Sequence, residues 1–140
     1  MYKIIENNSQ KIINIEEENL ESLFKDIAFS FKEFVFGSII TNPKSLRNIY
    51  IIENSMEELI IQWIGELNRQ IVYHDWIFND FKKIKMSYNS NEFSIRADLT
   101  GEGINSGKHK IIHDTTYLKV KNLVVENVSS KYKVSFNLEV

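Results

Sequence analysis

Ser55-Met56-Glu57-Glu58-Leu59-Ile60-Ile61-Gln62-Trp63-Ile64-Gly65-Glu66-Leu67 is the stretch whose reading decides the fold. Ser55 with Glu58 at the third position after it forms a capping box, the hydroxyl placed for an orphan N–H and the carboxylate placed to reach back. Behind the box, Met56, Ile60, Trp63, Ile64, Leu67 and Ile71 recur at helical spacing. Leu59, Ile61 and Val72 widen the stripe, which predicts a helix buried on more than one side and ending near His74-Asp75. Upstream, Leu20, Leu23, Phe24, Ile27, Ala28, Phe31, Phe34 and Val35 fall on one stripe opposite Glu21, Lys25, Lys32 and Glu33. Asn19 is its expected N-cap and Gly37 its stop.

The rest of the chain alternates. Phe93, Ile95, Ala97 and Leu99 are spaced by two, as are Tyr132, Val134, Phe136, Leu138 and Val140. Shorter strands are expected at 2–6, 11–16, 47–53, 82–88 and 115–126. Breaks are expected at Asn42-Pro43, Asn89-Ser90-Asn91 and Gly101-Glu102-Gly103. Helices set among strands and followed by hairpins predict an α+β fold: a single domain over 1–140, with two main helices packed on a mainly antiparallel sheet.

The 140 residues carry 43% hydrophobic and 26% charged side chains, an ordinary globular balance. Cysteine is absent, which excludes a disulfide scaffold, a thiolate zinc site and a cysteine nucleophile. Net charge is −2, so nothing in the average composition draws the chain tightly to nucleic acid. The opening Met1-Tyr2-Lys3-Ile4-Ile5 runs into Glu6-Asn7-Asn8, too short an apolar run for a signal peptide. With no stretch of 18 uninterrupted apolar residues to span a membrane, the expected location is the cytoplasm. Isoleucine (21), asparagine (15) and lysine (14) are abundant beside 2 alanines and 3 arginines, the skew that A/T-rich codons produce.

Catalytic constellations are missing: Gly101-x-Gly103 lacks the third glycine of a dinucleotide loop, and there is neither a P-loop lysine nor a nucleophile elbow. The chain is therefore not expected to be an enzyme. His109 and His113 are four apart, a metal-ligand spacing on a helix, but the glycines around them make this a loop with ordinary histidines. Lysines alternate at Lys83/Lys85, Lys108/Lys110, Lys119/Lys121 and Lys131/Lys133. A lysine-lined sheet face meets RNA phosphates in some proteins, but such a face also simply blunts edge pairing. Tyr132 and Phe136 point away from it, which favours the plainer reading. Trp63 and Trp76 are expected in the core. Glu139 lies beside the terminal carboxylate of Val140, an oxygen-rich corner that needs a third ligand to hold a hard cation.

Glu58 to Leu67, followed by Trp76-Ile77-Phe78-Asn79-Asp80-Phe81, resembles the archease family, whose members carry a Trp-Leu-Asn-Glu-Leu core in this helix and then a Phe-x-x-Phe lead into the next strand. Glu66 falls at the family's glutamate, Gly101-Glu102 at its Gly-Glu and His109 at its loop histidine. The resemblance extends from the opening strand at Tyr2 to the terminal strand at Val134 to Val140. It implies a small α+β accessory protein that promotes the metal- and GTP-dependent guanylylation and turnover of an RtcB-type RNA ligase in tRNA splicing and RNA repair, touching RNA only indirectly.

The resemblance also implies a divalent-cation site, calcium in the family, made by the aspartate of a His-Thr-Ala-Asp motif, a near-terminal aspartate and the terminal residue. Here the motif reads Asn7-Asn8-Ser9-Gln10, so the matching metal positions are Gln10, Glu139 and Val140. The family's lysine in the penultimate strand corresponds to Thr116. Calcium affinity follows the charge of its ligands, so Gln10 predicts weak calcium binding or none. The alternative is a repurposed module that keeps the fold but binds another protein or a small ligand. Codon drift explains isoleucine for leucine and lysine for arginine, but not these hallmark exchanges.

Overall fold

Asn19 and Ser55 fix where the two helices begin. The computed structural model describes residues 1–7, Asn7 by its backbone alone, and 10–140. Asn19 Oδ1 accepts from the Ser22 N–H at 2.8 Å and opens α1, Leu20–Phe36. Gly37 closes it in a positive-φ conformation (φ 70°), its N–H donating to the Glu33 carbonyl at 2.7 Å. Ser55 Oγ accepts from the Glu58 N–H at 3.1 Å and opens α2, Met56–His74, which Asp75 ends in the left-handed region at φ 49°. Both helices bury their main stripes, with Leu23, Phe24, Ile27 and Phe31 on α1 and Leu59, Ile60, Trp63 and Ile64 on α2 fully enclosed. Ile61, expected to widen the α2 stripe, is 42% exposed, so α2 is buried on one side, the side that faces its sheet.

The strands are β1 (Tyr2–Asn7), β2 (Gln10–Glu17), β3 (Ser45–Glu53), β4 (Trp76–Asn89), β5 (Glu92–Gly103), β6 (Lys119–Val128) and β7 (Lys131–Glu139). They form two sheets, in the orders β1-β2-β7-β6 and β3-β5-β4, with every pairing antiparallel. The expected α+β class, two helices on antiparallel strands, is therefore met, each helix having a sheet of its own. The chain divides into two compact units, Met1–Gly37 with Ile112–Val140, and Ser38–Ile111. In the first, Ile13 pairs with Phe136 and Ile15 with Val134 on the buried face that α1 covers. In the second, α2 packs on β3, β4 and β5 over Ile49, Ile95, Ala97 and Leu99. Among the described residues no helix is long and apolar enough to cross a membrane.

Strand limits differ from expectation at three places, each for a local reason. β4 begins at Trp76 rather than 82, because Phe78 and Phe81 both face α2 in spite of their spacing of three. Register shifts around Asn79 and Lys82 make this possible: each bulge adds a residue and returns the next apolar side chain to the inner face. Phe81 then lies 6.1 Å from Trp63 and 5.7 Å from Phe78, ring centroid to ring centroid. β6 starts at Lys119 rather than 115, because Asp114 Oδ1 accepts from both the N–H and the hydroxyl of Thr116, a turn that competes with pairing.

The third difference concerns Gly101-Glu102-Gly103, expected as a break but lying inside β5. Gly101 pairs with Phe78, and a Cβ there would stand 2.3 Å from the Ile77 carbonyl and 2.6 Å from the Trp76 ring. The glycine serves a close approach of strands rather than a turn. Gly101→Ala is expected to lower stability by about 1–3 kcal/mol or more, the usual range for overpacking. Urea unfolding measures this, and an unchanged midpoint would show that β4 can shift to make room.

Candidate functional site

Among the described residues Glu102 is the buried carboxylate, 4% exposed at the penultimate position of β5. Lys108 Nζ donates to its two oxygens at 2.9 and 3.2 Å, and the Asn42 N–H donates to Oε2 at 2.7 Å. His109 Nε2 stands 3.2 Å from Oε2 and Lys44 Nζ 3.8 Å from Oε1. The Lys108 hydrogen bonds, opposed by burial and helped by the Asn42 N–H and the charge of Lys108, push the carboxyl down to about 2 from its ordinary 4.5. It is held as an anion with its lone pairs already answered.

The segment after β5 is folded to deliver these partners. Asn105 accepts at its carbonyl from the Lys108 and His109 N–H groups, at 2.9 and 2.6 Å, and its side chain accepts from the Gly107 N–H at 2.9 Å. Its own N–H donates to His109 Nδ1 at 3.0 Å. With Nδ1 an acceptor, the proton belongs on Nε2, which then donates to Glu102. His109 is 1% exposed. Sequence spacing made it an ordinary loop histidine; the structure makes it a buried strut between a loop and a strand. Lys108 and Asn42 carried no signal of this role beyond the alternation of lysines and the break at Pro43.

Glu66 enters a second network. Its carboxylate accepts from Gln70 Nε2 at 3.3 Å and lies 3.7 Å from Arg69. Gln70 in turn accepts from Arg47 at 2.6 Å, and the Arg47 guanidinium sits 5.0 Å from the Trp76 ring centre. Trp76 Nε1 donates to Ser45 Oγ at 2.8 Å, so the buried indole is satisfied and joins β3 to β4. Trp63 and Trp76 are core residues, as expected.

The metal positions carried over from the resemblance lie at one end of the first sheet. Register between β2 and β7 runs to Lys11 opposite Leu138, which makes Gln10 and Glu139 the next residues along. Their side chains have other partners: Gln10 Oε1 accepts from Asn137 Nδ2 at 3.4 Å, and Glu139 Oε2 holds Lys121 Nζ at 2.9 Å. Val140 is exposed. A calcium ion needs several free oxygen donors, preferably charged. A neutral amide and a carboxylate that already carries an ammonium group do not fit one. The Asn7 side chain, Asn8 and Ser9 lie outside the described residues. Among those described, no group of three His, Cys, Asp or Glu side chains is arranged to hold a metal.

His113 and Thr116 are also engaged locally. His113 Nδ1 donates to the Phe34 carbonyl at 2.7 Å and its ring stacks on Phe34, centroids 4.4 Å apart. Thr116 spends its hydroxyl on Asp114 at 2.6 Å.

Glu102 sets a pH dependence. A depressed carboxyl contributes its stabilisation in full above the unfolded value near 4.5 and loses it as pH falls towards about 2. Unfolding free energies measured across that interval should fall with acid in the natural protein. Glu102→Gln is expected to be less stable at pH 7, with Lys108 left without its anion, and to show a flatter acid limb. Parallel limbs would mean that another carboxylate governs the loss.

Comparison with known proteins supplies the family. A model of the Archease protein family matches residues 2–140. Protein archease of Sulfurisphaera tokodaii is 22% identical over 142 residues, covering 99% of this chain and 98% of the relative. Protein archease of Thermococcus kodakarensis is 23% identical, covering 78% and 76%. The solution structure of Methanobacterium thermoautotrophicum protein 1598 superposes with a TM-score of 0.73 at 16% identity, over 99% of this chain and 98% of that one. With the match running from the opening strand to the last residue, the chain belongs to the archease family.

Proposed function

We propose that this chain is a non-catalytic accessory protein of the archease type, promoting an RtcB-type RNA ligase in cytoplasmic tRNA splicing or RNA repair. The family match over residues 2–140 carries the reading. The engagement of the titratable groups supports it. Glu102 and His109 close a loop, His113 holds Phe34, and Asp114 is tied to Thr116, so these side chains are committed to the fold. An accessory protein acts through its surface, and such a scaffold needs its acids and histidines for shape. Stoichiometric addition to the ligase of the same organism, under multiple-turnover conditions, is expected to raise the yield of joined RNA. An unchanged turnover number would refute the ligase role.

A second reading, the same fold serving a different partner, is favoured by the contacts Gln10–Asn137 and Lys121–Glu139 at the former metal corner. Both readings share one consequence, that the protein works without calcium. Calcium is expected to leave the thermal midpoint of the natural protein unchanged. Gln10→Asp combined with Lys121→Ala restores a charged, open donor set. At calcium ten times its Kd, the double variant should gain about 1.4 kcal/mol, about 5 °C in a domain of this size. Calcium stabilising the natural protein would contradict the metal-free reading, and an unresponsive double variant would show that these positions do not form the corner.

A further inference from the structure

The two sheets present their lysines differently. On the outer face of β1-β2-β7-β6, acids pair with two of them, Lys131 3.7 Å from Glu16 and Lys121 2.9 Å from Glu139, and register sets Lys133 opposite Glu16 and Glu126 and Lys119 opposite Glu139. A cavity of about 800 Å³ on that face is lined by Lys3, Lys131 and Lys133 together with Glu16 and Glu126. On β3-β5-β4 the register aligns Tyr50 with Arg96 and Arg96 with Lys85 across the outer face. The next row holds Asn48, Asp98 and Lys83, and the row beyond Tyr50 holds Ile52, Ser94 and Ser87. The Arg96 guanidinium lies over the Tyr50 ring at 4.3 Å from its centre, and the ring is 55% exposed. Among the described residues, Lys83, Lys85 and Arg96 make no ion pair. Asp98, the nearest acid by register, takes the Asn48 amide.

We infer that this face binds single-stranded RNA, with a base stacked on the Tyr50–Arg96 pair and the backbone phosphates on Lys83 and Lys85. An exposed aromatic ring and a planar guanidinium each offer a surface on which any base stacks. The adjoining lysines supply the charge that phosphate requires. Base faces are covered in a duplex and free in a single strand, so the aromatic element selects the latter. An acidic peptide would satisfy the cations but leave the ring without a use. The chain as a whole carries −2, so attraction is confined to this patch and weakens with salt. The inference does not depend on a ligase: it gives the protein a contact with RNA of its own.

The test is fluorescence anisotropy of a labelled oligouridylate of about ten nucleotides, a length within one binding face, titrated with the full chain at low and moderate salt. Tyr50→Leu is expected to weaken binding roughly 5- to 150-fold, the range for losing one stacked base, while Tyr50→Phe restores it. Lys83→Gln with Lys85→Gln should reduce the salt slope by about 1.4, at about 0.7 per phosphate contact on single strands. Thermal midpoints of the variants, set beside that of the natural chain, show that they are folded. No binding at low salt overturns the inference. So does a Tyr50→Leu variant that binds the RNA undiminished, or polyglutamate competing as well as unlabelled oligouridylate; the last result would mark a surface for an acidic protein.

Discussion

Gly101 passes so close to Ile77 and Trp76 that a methyl group would overlap the backbone of the neighbouring strand. Much of the second unit follows from that approach. β5 runs three residues further than a glycine-rich break would allow, so Glu102 arrives while the chain is still extended. The Trp76 indole lies where Ser45 can take its N–H and Arg47 can cover its ring. The Ser45 hydroxyl returns to the Gly101 carbonyl at 3.3 Å, and the Lys44 N–H to the same carbonyl at 2.9 Å. One missing side chain thus permits a close approach of paired strands, a tryptophan hydrogen bond and the placement of a buried anion.

Burying a carboxylate is unfavourable unless its oxygens are hydrogen-bonded and its charge is offset. Around Glu102 both conditions are met by residues from segments without regular structure, Asn42 on one side and Lys108 and His109 on the other. The anion therefore organises chain that no ladder holds. This is also why a depressed carboxyl beside a histidine, often the sign of a catalytic pair, is here a fastening: the imidazole proton points at an oxygen that is already saturated. By contrast, the Lys121–Glu139 pair is half exposed, and pairs of that kind contribute about 0–1 kcal/mol. Its importance lies in where it sits, at the end of β7 next to the terminal Val140.

Helix positions were legible in the sequence because caps and apolar period agreed: Asn19, Ser55 and Gly37 act as the composition of those sites predicts. The long alternations around Ile95 and Val134 were legible for the same reason. What sequence could not show were features decided by contacts between distant segments. Gly101 looked like a turn because a glycine pair with one residue between usually is one, and only the proximity of Trp76 says otherwise. His109 gave no sign of burial, since its partner Glu102 seemed to belong to the same break. Lysine alternation was visible, but not that acids stand opposite most lysines on one sheet's outer face, while among the described residues Lys83 and Lys85 on the other make no ion pair. That distinction needs the strand order, which places Tyr50 beside Arg96 and Glu139 near Lys121. Partition into two sheets was likewise hidden, because period two marks a strand but not its neighbour.

The bulges in β4 have a consequence for the shape of its sheet. β4 uses 14 residues alongside the 12 of β5. The surplus of two residues corresponds to about 6.6 Å of contour at the usual rise of a strand. Two ribbons of unequal length joined rung by rung cannot both lie straight; the longer one has to bend or coil. Asn79 and Lys82 thus act as tailoring, letting out one seam so that the sheet curls where Phe81 meets both Trp63 and Phe78. The curvature is written as a spacing of three between phenylalanines, in a strand whose own period is two.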